Sequence, residues 1–522
     1  MKRMLLLPLL FSLAAVACGG RPDGRDDVGK ESKDPGIDAS HVLTAAGAVS
    51  GTTTRDGAVK VFMGVPFAAP PLGELRWRAP RPAEPWTGVR ACVAPPPSAM
   101  QAAPAPFHCW SEEFLVPAEP ISEDCLYLNI WTPARRADEK LPVFVWIHGG
   151  AFTSGSGTVP LYDGEMMARQ GVVFVTVNYR LGIFGFLAHP ELSSESPDKV
   201  SGNYGILDQI AALRWLGDNI AAFGGDPGCV TVAGQSAGAF SVNALAVSPL
   251  ARGLFHRLVA QSGGGFGKDA GFGGSLGAAE LEGSRLTEER GLSVGDLRKM
   301  PADALLELPA RSGLTIDNVV IPPIRETFAA GRQNDVPTLT GWNADDGITF
   351  AYNADRAAYK KSVQARYGMD AARYLAAFPG GTDAEALASQ KLASQLSFGW
   401  NNYTWARLQG ETGRRAAYLY YFTRVPPGAP DYGAFHSAEL GYALHTLHKW
   451  RRPFTGTDRT LEKAMSSYWV NFAKTGDPNG AGLPAWKAFD GTAPSVMELG
   501  DAVKATALPF QGQLRLLDEL NR

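Results

Sequence analysis

The segment Val230–Gly238 reads Val-Thr-Val-Ala-Gly-Gln-Ser-Ala-Gly, and the fold class of this 522-residue chain follows from it. Its first four residues are β-prone, and a helix-prone run, Ala239–Val247, follows. This strand–turn–helix setting is the one in which a G-x-S-x-G segment forms a nucleophile elbow. The turn is too tight for side chains at either flank, which explains Gly234 and Gly238. The sequence therefore predicts an exposed, reactive Ser236 with the positive end of a helix dipole behind it.

Further β-rich runs alternate with helical stretches along the chain. This alternation is typical of a mostly parallel sheet covered by helices on both faces, an α/β fold. In such sheets ligands bind outside the carboxyl ends of the strands, so the loops after these strands are expected to converge. The predicted strands besides the elbow strand are Pro142–Ile147, Val172–Val177, Leu258–Gln261 and Ala417–Phe422.

A second glycine-rich loop follows the first of these strands. It reads His148-Gly149-Gly150-Ala151-Phe152. A loop of small residues after a strand can direct backbone N–H groups at an oxyanion, as the H-G-G-G type of motif does. With the elbow downstream, it indicates a site for acyl-transfer chemistry.

Composition excludes several classes of protein. Hydrophobic residues make up 45% and charged residues 19% of the chain, which excludes a wholly disordered protein. Lysine and arginine number 49 against 52 aspartates and glutamates, and no basic block suggests a nucleic-acid partner. No Cys or His spacing resembles a zinc site, and acyl transfer through a serine calls for no cofactor or metal.

The N-terminus has the pattern of an export signal. Residues 1–17 place Lys2 and Arg3 before an uncharged stretch too short to span a membrane, as in a signal peptide. Cys18 directly after Ala-Val-Ala resembles a bacterial lipobox, which predicts a lipidated Cys18, a flexible tether over residues 18–40 and a membrane-anchored lipoprotein. The alternative is ordinary cleavage and a periplasmic or secreted protein. Only the lipid anchor would attach the protein to a membrane.

Three cysteines fall close together in a proline-rich loop region: Cys92, Cys109 and Cys125. In an oxidising compartment a disulfide among them is expected, and the pairing is left open. Cys229 leads into a strand and is expected to be a buried free thiol.

The chain resembles the type-B carboxylesterase/lipase family, the cholinesterase-like branch of the α/β-hydrolases. The resemblance implies a single α/β-hydrolase domain over residues 41–522. It also implies two ion pairs, Arg76 with Glu123 and Arg180 with Asp208. Besides the two loops above, the segments that carry it are Phe62–Ala68, Ser122–Asn129, Asn178–Gly182, Gly202–Gln209, Phe223–Pro227, Gln261–Gly263 and Asn471–Asn479.

Carried over residue by residue, the resemblance makes Ser236 the nucleophile. The oxyanion would be bound by the N–H groups of Gly150, Ala151 and Ala237. These three amides come from two separate loops, so their convergence depends on the fold.

The acid and the base are expected further along the chain. The acid falls in Gly341–Gly347, where Asp346 stands in the place of the glutamate that is usual in the family, and Asp345 is the rival. His436 matches the base, and the order serine, acid, histidine is that of the α/β-hydrolases.

Together these residues predict a serine carboxylic-ester hydrolase with a Ser-His-Asp triad and an acyl-enzyme intermediate. A lipase that prefers long acyl chains and a non-catalytic binding module on the same fold are the alternatives. The substrate is expected to be a small ester, choline esters are not favoured, and the natural ester and the oligomeric state stay open. The predicted pocket segments are Phe107–Phe114, Thr349–Asn353 and Phe398–Tyr403.

Overall fold

The structure, a computed structural model, describes residues 36–118, 120–267, 273–309, 312–347, 352 and 355–521. The predicted signal peptide, Cys18 and all of the pocket segment 349–353 except Tyr352 lie outside these residues. The end of the expected tether, residues 36–40, is described, and the backbone N–H of Ile37 donates to the carbonyl of Arg135 at 2.7 Å. Within the described ranges, no helix has the length and apolar character needed to cross a membrane.

The strands follow the β-rich runs of the sequence, with boundaries that differ by a few residues from prediction. The elbow strand extends well upstream of Val230. In chain order the strands are β1 (Val42–Leu43), β2 (Ala48–Ser50), β3 (Thr52–Thr53), β4 (Lys60–Pro66), β5 (Val89–Ala91), β6 (Ser98–Ala99), β7 (Ile121–Ser122), β8 (Tyr127–Thr132), β9 (Leu141–Ile147), β10 (Val173–Val177), β11 (Gly225–Gln235), β12 (Arg257–Gln261), β13 (Gly273–Ser275), β14 (Leu314–Ile316), β15 (Thr338–Asn343), β16 (Ala417–Phe422), β17 (Ser495–Leu499) and β18 (Val503–Ala507).

From β9 onward, α-helices lie in most of the connections between these strands. The helix after the elbow begins at Ala237, two residues earlier than predicted, because it starts directly at the turn. The α-helices are α1 (Glu165–Ala168), α2 (Gly182–Phe186), α3 (Pro190–Glu195), α4 (Tyr204–Asn219), α5 (Ala237–Val247), α6 (Leu276–Glu288), α7 (Val294–Lys299), α8 (Ala302–Leu306), α9 (Ile324–Ala329), α10 (Arg356–Tyr367), α11 (Ala371–Ala377), α12 (Asp383–Thr412), α13 (Leu440–Ala443), α14 (Gly456–Thr475) and α15 (Gln511–Leu520).

The described residues form one large sheet of 11 strands in the order β18-β17-β16-β15-β12-β11-β9-β10-β8-β4-β3. From β17 to β10 every neighbouring pair is parallel, and the pairs at both edges are antiparallel. The predicted α/β class is therefore confirmed, with antiparallel strands added at each side.

Alternation of side chains along the strands divides the core into two layers. In β9, Val143, Val145 and Ile147 join one hydrophobic cluster, while Phe144 and Trp146 join the other. Successive side chains of a strand point to opposite faces, and both faces here are covered, so the strand reads as a continuous apolar run. Helices α4, α5 and α12 contribute to the first cluster, and α13 and α14 to the second.

This topology brings the predicted functional loops to one edge of the sheet. His148 follows β9, Ser236 follows β11 and Asp346 follows β15. His436 lies in the loop after β16. Because these strands are parallel neighbours or near neighbours, their carboxyl ends meet, as expected for an open α/β sheet.

The expected disulfide is not formed in the described structure, where Cys92, Cys109, Cys125 and Cys229 are all free thiols. Cys92 and Cys125 are buried in one hydrophobic cluster, whereas Cys109 is buried in the other. Burial raises the pKa of the Cys92 thiol to about 11. The prediction relied on proximity in sequence, and packing has instead separated Cys109 from the other two.

Candidate functional site

The elbow has the tight geometry that its glycines indicate. Ser236 has φ 56° and ψ −125°, a backbone conformation that L residues rarely adopt. A Cβ atom added to Gly238 would lie 2.1 Å from the carbonyl oxygen of Ile147, and one added to Gly234 would lie 2.6 Å from Gly238. Both positions therefore require glycine, because the turn packs directly against the end of the neighbouring strand.

A buried hydrogen bond joins two of the predicted residues. Nδ1 of His436 lies 2.6 Å from Oδ1 of Asp346, and both side chains are almost fully buried. The other carboxylate oxygen of Asp346 accepts the backbone N–H of Asn343 at 3.0 Å. An aspartate so held fixes the imidazole orientation and favours the tautomer with the proton on Nδ1.

The rival carboxylate, Asp345, binds the backbone of the loop that carries His436. Its Oδ2 accepts the backbone N–H of Ala434 at 2.8 Å, and its own N–H donates to the carbonyl of Ala434 at 3.0 Å. Asp345 therefore holds the loop that carries His436, while Asp346 contacts the imidazole itself.

Ser236 and His436 line the same cavity. Among the described residues no direct hydrogen bond joins their side chains. The Nε2 atom of His436 instead lies 3.1 Å from the side-chain nitrogen of Gln235, the residue before Ser236. In this conformation the side-chain amide of Gln235 is thus the partner of the ring nitrogen to which a catalytic serine would donate its proton.

The glycine-rich loop after β9 lies beside Ser236. A Cβ atom on Gly149 would be 3.1 Å from the Ser236 Cβ, and Gly150 and Ala151 line the cavity with Ser236. Gly150 and Ala151 adopt positive φ angles of 110° and 54°. Among the backbone hydrogen bonds of the described turns, loops and helix ends, none is donated by the N–H groups of Gly150, Ala151 or Ala237, so these amides are free for a ligand.

His148 anchors this loop as a buried neutral side chain. Its Nδ1 lies 2.9 Å from the Gly149 carbonyl, its ring stacks on Tyr179 at 4.4 Å, and the Tyr179 hydroxyl donates to the His148 carbonyl at 2.9 Å. Burial lowers the pKa of His148 from 6.5 to about 4. The charged form would place an unpaired cation in the core under the loop.

This depressed pKa predicts an acid-dependent loss of stability. Between pH 6.5 and 4 the unfolded chain binds a proton at His148 that the folded chain excludes, so stability falls as the pH falls. The expected contribution is about 3 kcal/mol between pH 7 and pH 4. Urea unfolding of the parent and of His148→Gln at both pH values measures it, since other titrating groups are common to the two proteins. Equal losses in both proteins would contradict the assignment.

A buried polar network that the sequence analysis missed lies behind the histidine. Glu439 is fully buried, and its two oxygens accept hydrogen bonds from Gln261 at 3.0 Å and from the Asn343 side chain at 2.6 Å. Burial, together with the neighbouring Asp346, raises the pKa of Glu439. Its position three residues after His436 was the signal available in the sequence. Asn343 thus contacts both carboxylates.

The cavity itself has a volume of about 490 Å³, and it is largely apolar. Three of its aromatic lining residues, Phe107, Trp110 and Phe114, come from a predicted pocket segment, whereas Tyr162 lies outside the predicted segments and no residue of Phe398–Tyr403 lines the cavity. Phe398 stacks on the imidazole of His436 with ring centroids 4.7 Å apart. Among the described lining residues there is no Asp, Glu, Lys or Arg.

Both ion pairs implied by the resemblance are formed. Arg180 contacts Asp208 at 2.7 Å with both side chains buried, and Arg76 contacts Glu123 at 2.5 Å. Across the described ranges, no group of three or more His, Cys, Asp or Glu side chains is placed to hold a metal ion.

Comparisons with known proteins agree with this geometry. The sequence profile of the carboxylesterase family matches residues 38–516. The chain is 37% identical over 475 residues to a fumonisin B1 esterase of Sphingopyxis macrogoltabida, covering 86% of this chain and 84% of that protein. It is 35% identical to a para-nitrobenzyl esterase of Bacillus subtilis (strain 168), covering 86% and 92% of the two chains. The solved structure of a thermophilic PNB esterase superposes with a TM-score of 0.79 at 30% identity, covering 92% of this chain and all of the other. With the α/β-hydrolase sheet and this arrangement at its edge, the chain belongs to the carboxylesterase family and is a serine carboxylic-ester hydrolase.

Proposed function

We propose that Ser236, His436 and Asp346 are the catalytic triad of this ester hydrolase. The hydrogen bond between Asp346 and His436, beside a cavity that also contains Ser236, is the observation that carries the proposal. His436 accepts the Ser236 proton as Ser236 attacks the ester carbonyl, and Asp346 stabilises the resulting imidazolium. The alcohol leaves, and water activated by His436 then releases the acid from the acyl-Ser236 intermediate.

The step from this conformation to the reactive one involves Gln235. Its amide lies at the Nε2 atom of His436, which is the atom that receives the serine proton. Catalytic hydrogen bonds often tighten only when substrate binds. We expect the Ser236 hydroxyl to replace the Gln235 amide at Nε2 when an ester enters the cavity.

We propose that the N–H groups of Gly150, Ala151 and Ala237 bind the oxyanion of the tetrahedral intermediate. The absence of any hydrogen bond donated by these amides among those of the described turns, loops and helix ends supports this role. Ala237 is the first residue of α5, so the helix dipole adds to the stabilisation. Loss of one such donor typically costs about 3–4 kcal/mol of transition-state binding, and the buried, neutral His148 keeps the loop in place.

We propose that the substrates are uncharged esters with apolar or aromatic groups. An unpaired charge would be desolvated at a high cost in a cavity whose described walls carry no Asp, Glu, Lys or Arg side chain. The relatives named as a fumonisin B1 esterase and a para-nitrobenzyl esterase carry different substrate names, so the proposal rests on the cavity walls and not on these names.

A panel of p-nitrophenyl esters tests this substrate class. We expect a higher kcat/KM for p-nitrophenyl butyrate than for the p-nitrophenyl monoester of succinate. The two acyl chains are similar in length, but the succinyl chain ends in a free carboxylate. Palmitate in the same panel tests the lipase alternative. A preference for the succinate ester would contradict the proposed class, and a preference for palmitate would favour a lipase.

We propose further that the protein is exported and anchored by a lipid on Cys18. The sequence Ala-Val-Ala-Cys after an uncharged stretch supports this proposal. Cys18→Ser is expected to move the esterase from the membrane fraction to the soluble fraction of the producing cells, with unchanged specific activity. Retention of the variant in the membrane fraction would exclude lipidation at Cys18.

A further inference from the structure

The residue after the candidate base is held in an unusual conformation. Ser437 has φ 85°, in the region that favours glycine, and its side chain is buried. Its hydroxyl oxygen accepts the indole N–H of Trp110 at 3.2 Å, across 327 residues of sequence. A strained residue next to a reactive group persists only where surrounding contacts fix it, and this hydrogen bond is such a contact.

Trp110 also faces the imidazole itself. The rings of Trp110 and His436 meet edge to face with centroids 6.4 Å apart, and Phe398 stacks on the imidazole at 4.7 Å. The hydrogen bond to Asp346 fixes only one nitrogen of the imidazole. Rotation of the ring about this hydrogen bond is limited by Trp110 and Phe398. Trp110 is the neighbour that also lines the substrate cavity.

The segment around Trp110 contacts both the segment that carries His436 and Arg451, which lies further along the chain. The ring of His108 lies 4.5 Å from that of Tyr432, and the ring of Phe114 lies 6.0 Å from that of Phe435. The Glu113 carboxylate accepts the backbone N–H of Arg451 at 3.0 Å. One wall of the cavity and the candidate base are therefore parts of a single packed unit.

We propose that Trp110 is a positioning residue for His436, which it holds through the hydrogen bond to Ser437. The substrate-cavity wall thereby sets the orientation of the base. This inference rests on the proposed role of His436 in ester hydrolysis.

Three variants assayed on p-nitrophenyl acetate test the hydrogen bond: Trp110→Phe, Ser437→Ala and the double variant. Acetate is too small to depend strongly on the cavity wall. A net hydrogen bond is worth about 1 kcal/mol, so each single variant is expected to lower kcat about 5-fold with KM changed less than twofold. The double variant is expected to lose no more than either single variant, because both remove the same interaction.

Two further variants separate this role from general destabilisation. Ser437→Gly removes the hydroxyl and relieves the backbone strain, and it is expected to match Ser437→Ala in kcat. Trp86→Phe removes an indole hydrogen bond, to the Ala48 carbonyl at 2.8 Å, at a residue outside the cavity lining, and it is expected to retain the parental kcat.

Several outcomes would overturn the inference. They are a parental kcat for Ser437→Ala, a parental kcat for Ser437→Gly, additive losses in the double variant, or an effect of Trp110→Phe on KM alone. Ser236→Ala, assayed in parallel, distinguishes this failure from that of the proposed function. Parental activity in Ser236→Ala would contradict the proposed triad. An inactive Ser236→Ala together with an unaffected Ser437→Ala would contradict only the role of Trp110.

Discussion

Replacement of Ser236 by alanine is expected to lower kcat for p-nitrophenyl ester hydrolysis by about a million-fold, as loss of the nucleophile does in other triads. The residual rate would come from the oxyanion loop and the cavity, which can still bind the substrate but cannot form an acyl-enzyme. Stopped-flow measurement of p-nitrophenol release checks both consequences, since the parent is expected to show a burst wherever deacylation is slow and the variant none. KM is not expected to change by a comparable factor.

The chain offers a matched control for this variant. Ser262 follows β12, the parallel neighbour of the elbow strand, and its φ of 52° is close to the 56° of Ser236. Its side chain is fully buried, so it has no access to substrate. Ser262→Ala is expected to retain activity within several-fold. Parental activity in Ser236→Ala, or an inactive Ser262→Ala in a folded protein, would contradict the assignment of the nucleophile.

The elbow could be predicted from sequence because its requirements are local. The sterics of Gly234 and Gly238 act within a few residues and against the adjacent strand. The same holds for the convergence of the loops that follow the strands, since parallel strands bring their carboxyl ends together whatever the loop lengths. Prediction of Ser236 at the sheet edge needed no knowledge of distant contacts.

The contacts of Gln235 and Glu439 could not be predicted in this way. Gln235 contacts His436 across 201 residues and Gln261 contacts Glu439 across 178 residues. Such contacts depend on the orientation of each loop and on which side chain fills a buried space. The periodicity of hydrophobic residues in the sequence indicates neither. The cysteines illustrate the same limit, because Cys109 is buried in a different layer of the core from Cys92 and Cys125.

The choice between Asp345 and Asp346 depends partly on local sequence, as the elbow does, and partly on contacts with a distant segment, as Gln235 and Glu439 do. Both residues are in one turn, and the family resemblance favours Asp346 because it directly precedes Gly347. The physical difference is visible only in three dimensions: Asp345 accepts the N–H of Ala434, which leaves Asp346 to face His436.

Replacement of Asp346 by asparagine is therefore expected to lower kcat by about 10⁴-fold, because an amide neither stabilises the imidazolium nor fixes the required tautomer. Asp345→Asn is the matched control, since the same change one residue away weakens only a hydrogen bond to Ala434. It is expected to lower stability by about 1 kcal/mol and kcat by no more than several-fold. Steady-state kinetics on p-nitrophenyl butyrate, with thermal unfolding of each variant, separate the two effects. If Asp345→Asn were crippled while Asp346→Asn kept the parental kcat, the acid of the triad would be Asp345, and the 2.6 Å contact between Asp346 and His436 would be structural.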